Sequence, residues 1–511
     1  MYAIRFGAVL LCLVAMIGCN RSEQYYIGRG NTLLQEGKPA DAIIQYRKAI
    51  QKNSQSGEAY YRLGLAQVRA GDAAEAVNAL NRAVQLSPGN QDAAARLADL
   101  YLAAYLSDPR RGKGLYSRVE SLSKGLLEKD PNSVEGLRLK GALAFVDRKP
   151  QEAIDYYQRA NQLNPMQLGV VEGLVQALFL GNRVDEGERV AKDFLEKDKT
   201  AASIYDVLYL HYLTDHRTAD AEKILLAKVA NNPREASYRL QLAQFYARGN
   251  RPAQMAATLQ YVLDHPQDFP QGRLQAGDFY ASLGNVDEAM RQFQIGAGAN
   301  GKEKVLFQKR IVGLLANQRK REDALKLVDQ ILKENPKDAE AVIALGTLLI
   351  DGGSAAELVR AMSELKPIVK QNPSDSMAHF QLGRAYLLSG SRNEARAEFL
   401  EAAQLRQDFL PPRLALAELN MSARKPQDAL NMSDQILARS PDQPRARFLH
   451  ASALASLGRL DEARAELKQL LNEFPQSAEV QMELGIVAIN GKDYRAAEQI
   501  FGKSQERGAN D

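Results

Sequence analysis

Small and large apolar residues recur along this chain at fixed places in a 34-residue period. Counted from Glu23, successive units begin at Gly57, Gln91, Val134, Leu168, Ala202, Ala236, Pro270, Val305, Ala339, Ser376, Leu410, Pro444 and Ala478, and the last closes at Asp511. Insertions of nine, one and three residues in the third, eighth and tenth units keep the rest in step. Position 20 is alanine in eleven of the fourteen units, from Ala42 and Ala76 to Ala463 and Ala497. Position 8 is glycine in seven (Gly30, Gly64, Gly141, Gly277, Gly346, Gly383 and Gly485), while positions 7, 11 and 24 hold large residues such as Leu63, Tyr101, Tyr157 and Phe399. Such a pattern predicts two helices of about a dozen residues per unit, packed nearly antiparallel with their backbones close at the small positions.

The breaks between helices carry their own punctuation. Glycine stands at position 14 or 15, as in Gly37, Gly181 and Gly491, and predicts the turn inside each pair. Pro39, Pro150, Pro252 and Pro426 fall at position 17, the first turn of a second helix, where the missing N–H goes unused anyway. Eight further prolines at position 32, Pro88 and Pro475 among them, end the second helix. Helices this short are marginal alone, so stability must come from neighbour packing. Pro367 falls inside a predicted second helix in the tenth unit and predicts a kink or sub-domain boundary there.

Composition changes the picture only slightly. At 511 residues the chain exceeds one ordinary core, and its helix-forming residues suit an all-α repeat array. Lys and Arg number 66 against 62 Asp and Glu, a near-balance that argues against nucleic acid as a partner.

The N-terminus is read apart from the fold. Arg5 precedes an apolar run, Phe6 to Ile17, too short to span a bilayer as a helix. The run ends in Met16-Ile17-Gly18-Cys19, which resembles a bacterial lipobox and implies a signal peptide over 1–18, lipidation of Cys19 and a tether over 19–22. Cys12 lies in the removed segment, so the mature chain would keep no thiol for disulfide, redox or metal chemistry. Asn20 rather than Asp after the lipidated Cys implies, by the same resemblance, an outer-membrane location facing the periplasm.

Leu382-Gly383-x-x-Tyr386 followed by Ala395-x-x-x-Phe399 resembles the tetratricopeptide repeat, and the likeness extends across residues 23–511. It implies a right-handed α-solenoid of about fourteen helix-turn-helix repeats with a concave groove lined by the first helices. Positions 2, 5, 9, 12 and 13 would face that groove, which makes Tyr61, Arg138, Phe145, Phe179, Lys309, Phe380, Arg384 and Phe448 the candidate contacts for protein segments. Position 4 departs from the family's usual Trp: Tyr26, Tyr60 and Tyr205 stand there. The Lys and Asn of the family's chaperone-tail clamp are not paired here, since the first unit has Ile27 with Asn31 and the second Tyr61 with Leu65.

Residues suggestive of other chemistry fit the repeat better. Gly296-Ala297-Gly298-Ala299-Asn300-Gly301-Lys302 has the spacing of a dinucleotide loop. It follows a predicted helix rather than a strand, and Glu303 stands where a phosphate loop needs Ser or Thr. His211 and His216 are five apart and do not share a helix face as a metal pair would. Arg110-Arg111-Gly112-Lys113 forms a basic tip in the third unit, a solvated loop or a contact for anionic headgroups. The expected function is therefore a non-enzymatic, cofactor-free scaffold of the bacterial envelope. Repeat lipoproteins of polysaccharide or exosortase-linked secretion are the nearest resemblance. Two alternatives stand beside it, a cytoplasmic adaptor with an uncleaved apolar start and a nucleotide-binding or enzymatic protein. The last unit, with Ile500 and Phe501 partly exposed, is expected to offer a C-terminal self-association or partner contact.

Overall fold

The computed structural model of the protein describes residues 21–107, 112–299, 301 and 303–508. Cys19 and the signal segment, Asp108 to Arg111 of the basic tip, Asn300 and Lys302 lie outside the described residues. Among the described residues the fold is an all-α solenoid of fourteen helix pairs, with no strand. First helices begin at Glu23, Gly57, Gln91 and so on to Ala478; second helices begin at Pro39, Ala73, Lys113 and so on to Tyr494. The chain falls into two compact units, Met1–Thr258 and Leu259–Asp511.

The repeating core contact is a glycine against a ring or a leucine. A Cβ on Gly64 would come within 2.6 Å of Leu80, and one on Gly383 within 2.6 Å of Phe399. Every one of the seven position-8 glycines meets the position-24 side chain of its own repeat in this way. Repeat five inverts the sizes: Val175 stands at position 8 and Ala191 at 24, both fully buried. The alanines of position 20 lie 0–4% exposed, sealed between the paired helices. Large-against-small packing fixes the spacing of the two backbones without leaving a void.

Local signals set the ends. Ser56, Asn90, Ser133, Asp338, Asp375 and Ser477 each cap a first helix by accepting a backbone N–H three residues on. Inside every pair except those of repeats three and ten the described turn closes by a Schellman motif, as where Lys38 N donates to the Leu33 carbonyl at 2.9 Å. Outside repeat three, the left-handed residue between the paired helices is at position 15. Six glycines adopt it, and so do Arg148, Asn182, His216, Asn250, Arg319, Arg424 and Lys492. Where glycine stands at position 14, as in Gly181, Gly249 and Gly491, the residue after it takes the positive φ instead.

Three details differ from the sequence expectation. The nine extra residues of repeat three extend both of its helices to 17 residues, rather than forming only a loop. The first helix of repeat eight begins at Gly272, after a turn in which Asp268 N and Phe269 N both donate to the His265 carbonyl. Pro367 does not interrupt its helix, which runs unbroken from Ala355 to Gln371. The buried stripe of Leu358, Ala361, Leu365 and Ile368 holds that helix across the missing hydrogen bond. The boundary between compact units lies at 258/259, not at repeat ten.

Candidate functional site

First helices of neighbouring repeats lie side by side, and their polar faces carry the candidate residues. Tyr61 lines a depression of about 570 Å³ across repeats one to three, with Asn31, Leu65, Val68, Arg69 and Arg96. Burial raises the Tyr61 phenol above its ordinary value, and the nearby Asp92 carboxylate raises it further. Arg62, in the same wall, is held by Glu58 at 2.6 Å, and Arg69 donates to the Leu34 carbonyl at 3.0 Å.

Phe145 and Phe179 come together in a second depression of about 400 Å³ in repeats four to six. Leu180, Val207, Leu210 and His211 complete its apolar wall. Gly187, at the position that is alanine in most repeats, makes room: a Cβ there would stand 2.6 Å from the Phe179 ring. That ring lies flat on His211, centroids 3.8 Å apart and planes within 11°. Leu180 remains 40% exposed and Leu210 60%. Asp215 is the one acidic side chain in the lining, 3.4 Å from His211 Nε2. Burying these exposed leucines would be favourable, and nothing in their own repeats does so.

The charged candidates are engaged within the chain. Arg138 bridges to Asp99 of the preceding repeat and to Glu135, each at 2.7 Å. Lys309 bonds Glu340 of the next repeat at 2.6 Å and Asp338 at 3.3 Å. Burial pulls the Lys309 ammonium down, but Glu340 and Asp338 outweigh it and hold the pKa above its ordinary value. Arg384 reaches Asp351 of the preceding repeat at 2.8 Å. These cations join one repeat to the next along the first-helix face. Phe380 packs on Phe399 and Phe409, centroids 5.7 and 5.2 Å away. Phe448 lies under the Arg445 guanidinium at 5.2 Å. Of the eight candidates, Phe145 and Phe179 share one depression.

Sequence reasoning passed over Leu180, Val207, Leu210 and His211. Leu180 and Leu210 occupy positions 13 and 9, so the register already marked them; attention to aromatic and charged types missed them. His211 carried no such signal, because its partner ring comes from the preceding repeat.

Gly296 lies inside the helix Val286–Gly298, where its missing Cβ admits the Phe307 ring. Among the described residues no group of three His, Cys, Asp or Glu side chains is placed to hold a metal ion. No described helix is long and apolar enough to cross a membrane.

Family models of the tetratricopeptide repeat match residues 27–91, 314–357, 378–409, 420–484 and 457–511. Anaphase-promoting complex subunit 7 of Mus musculus is 29% identical over 181 residues, 35% of this chain and 32% of that protein. An FK506-binding protein-like protein of Homo sapiens is 35% identical over 91 residues, 17% of this chain and 26% of that one. The chain thus matches about a third or less of the length of these relatives. Among solved structures, the Cut9–Hcn1 hetero-tetramer of the APC/C aligns over 93% of this chain and 98% of that chain, at 12% identity and a TM-score of 0.41. Yeast Tom70 aligns over 82% and 99%, at 16% identity and a TM-score of 0.36. With family models matching in both compact units, and the contact of glycine against a ring or a leucine recurring in seven repeats, the chain belongs to the tetratricopeptide-repeat family.

Proposed function

We propose that this interaction scaffold is tethered to a bacterial membrane through lipid on Cys19 and holds protein segments against the first helices of repeats four to six. The hollow of Phe145, Phe179, Leu180 and Leu210 carries the reading. It is large enough for one bulky apolar side chain of an extended or helical segment, with Asp215 at the rim to favour a neighbouring cation. The cell envelope, and there the assembly or secretion of polysaccharide or protein, is the setting that the lipobox-like Met16-Ile17-Gly18-Cys19 supports. Asn20 after Cys19 supports the outer membrane over the inner.

Two measurements test the two halves separately. A photoreactive amino acid in place of Leu210 is expected to crosslink, in intact cells, to a discrete segment of a partner. Phe179→Ala should weaken binding of that segment about thirtyfold, the usual loss when a central apolar anchor goes. Affinity unchanged by Phe179→Ala would remove the hollow from the account. For the tether, metabolic palmitate labelling should appear on the parent chain and vanish in Cys19→Ser. An unlabelled parent that fractionates with the cytosol would instead favour a cytoplasmic adaptor.

A further inference from the structure

The first repeat carries an excess of cations. Residues 21–56 hold six Lys and Arg against three Asp and Glu. Their placement is uneven. Arg21, Tyr25 and Arg29 follow one another at four-residue spacing, one stripe at and along the first helix, Glu23–Gln35. Lys48 stands opposite on the second helix, Pro39–Lys52. Between them lies a depression of about 420 Å³ lined by Arg21, Tyr25, Tyr26, Arg29, Gln45 and Lys48, with no carboxylate in its wall.

Two of the three acids of this repeat are occupied elsewhere. Glu36 pairs with Lys38 at 2.8 Å, and Glu23 accepts from Asn53 at 2.7 Å. Arg21 lies over the Tyr25 ring, 4.3 Å from its centroid, and bonds its hydroxyl. No ion pair holds Arg29 or Lys48 among the described residues, and both are exposed. Apolar surface stands beside the cations: Tyr25 is 42% exposed, and Ile44, one turn before Lys48, is 49% exposed.

We infer that this outer face of the first repeat docks on an anionic lipid surface, with Arg21, Arg29 and Lys48 on phosphate headgroups and the Tyr25 ring at the headgroup level. Tyrosine favours that depth because its ring is apolar and its hydroxyl wet. Arg and Lys reach headgroups while their alkyl stems cover apolar surface. A soluble acidic peptide would satisfy the same cations but would leave Tyr25 and Ile44 in water. The contact needs no lipid on Cys19 and so stands apart from the tether. If both hold, the contact orients the lipid-tethered chain on the membrane.

Vesicle co-sedimentation of the full chain carrying Cys19→Ser tests this without the acyl anchor. Phosphatidylcholine vesicles are compared with vesicles containing one third phosphatidylglycerol. The chain should prefer the anionic vesicles, and Arg21→Gln with Arg29→Gln and Lys48→Gln should lose at least about thirtyfold of that binding, each cation near the surface being worth about fivefold. A control of equal charge, Lys326→Gln with Lys337→Gln and Lys468→Gln, should keep it, and circular dichroism shows that both variants are folded. The apolar N-terminal run is common to all three chains and cannot produce the difference. Equal loss in both variants, or no preference for anionic vesicles, overturns the inference. So does displacement of the bound chain by free phosphate or by poly-glutamate at the same charge concentration, which would make the face a general anion or acidic-peptide site.

Discussion

Glycine at position 8 acts through what stands sixteen residues later. In repeat eleven the Phe399 ring fills the space a Gly383 side chain would need, and a Cβ there would lie 2.6 Å from it. Gly383→Val should therefore cost about 2–3 kcal/mol, the scale of overpacking a close-packed core. Combining it with Phe399→Ala reproduces the arrangement of Val175 and Ala191 in repeat five. The pair should recover much of the stability, and a double-mutant cycle from denaturant unfolding measures the coupling. Additive losses would show that the two columns do not compensate. The left-handed residue of each turn follows a different rule. Position 15 accepts Arg319 as well as Gly37, because the turn is already closed by backbone bonds. Its side chain was therefore the least legible part of the repeat, and the alanine and proline columns the most legible.

At the scale of helices, the charges decide how pairs join. The candidate cations Arg138 and Arg384 reach back to carboxylates of the preceding repeat, and Lys309 reaches forward. The repeat register places them on the right face but says nothing of their partners, since a partner one repeat away is a long-range contact. His450 shows the same effect with a pH signature. Its Nδ1 faces Glu466 at 2.6 Å on the second helix of its own repeat, and its Nε2 faces Asp434 at 3.3 Å on the repeat before. The bond to Glu466 raises its pKa, burial opposes, and the Glu466 and Asp434 charges add to the rise while Arg459 reduces it. A raised folded pKa means stability fully present below the unfolded value near 6.5 and lost as pH climbs through the folded one. Melting of the parent chain should thus fall, relative to His450→Gln, as pH goes from about 6 to 8.5. A parent-minus-variant difference that stays flat over that window would show that His450 does not report on this junction.

Across whole compact units, contacts run mainly between helices adjacent in sequence and between first helices of consecutive repeats. Stability in such an array is close to a sum of local terms. Leu365, fully buried opposite Gly346 in repeat ten, offers a test inside residues 259–511. Leu365→Ala removes about 2–5 kcal/mol of local packing. Hydrogen exchange should then quicken in repeats nine to eleven and leave thirteen and fourteen protected. A uniform loss over residues 259–511 would mean that the unit opens as one. The hollow of Phe145 and Phe179 belongs to this larger scale as well. It needs three consecutive repeats, a glycine at position 20 and a histidine stacked from the next repeat.

By itself the amino-acid sequence determined the helical class, the period and the buried columns. Those follow from side-chain size and backbone restriction within one repeat, and short-range sterics are readable from spacing alone. Only the tertiary structure decided which cations are tied up between repeats and where apolar residues stay uncovered. It also showed that the outer face of the first repeat gathers cations with no acid among them. Each of these depends on groups brought together from separate helices, and no spacing along the chain records that.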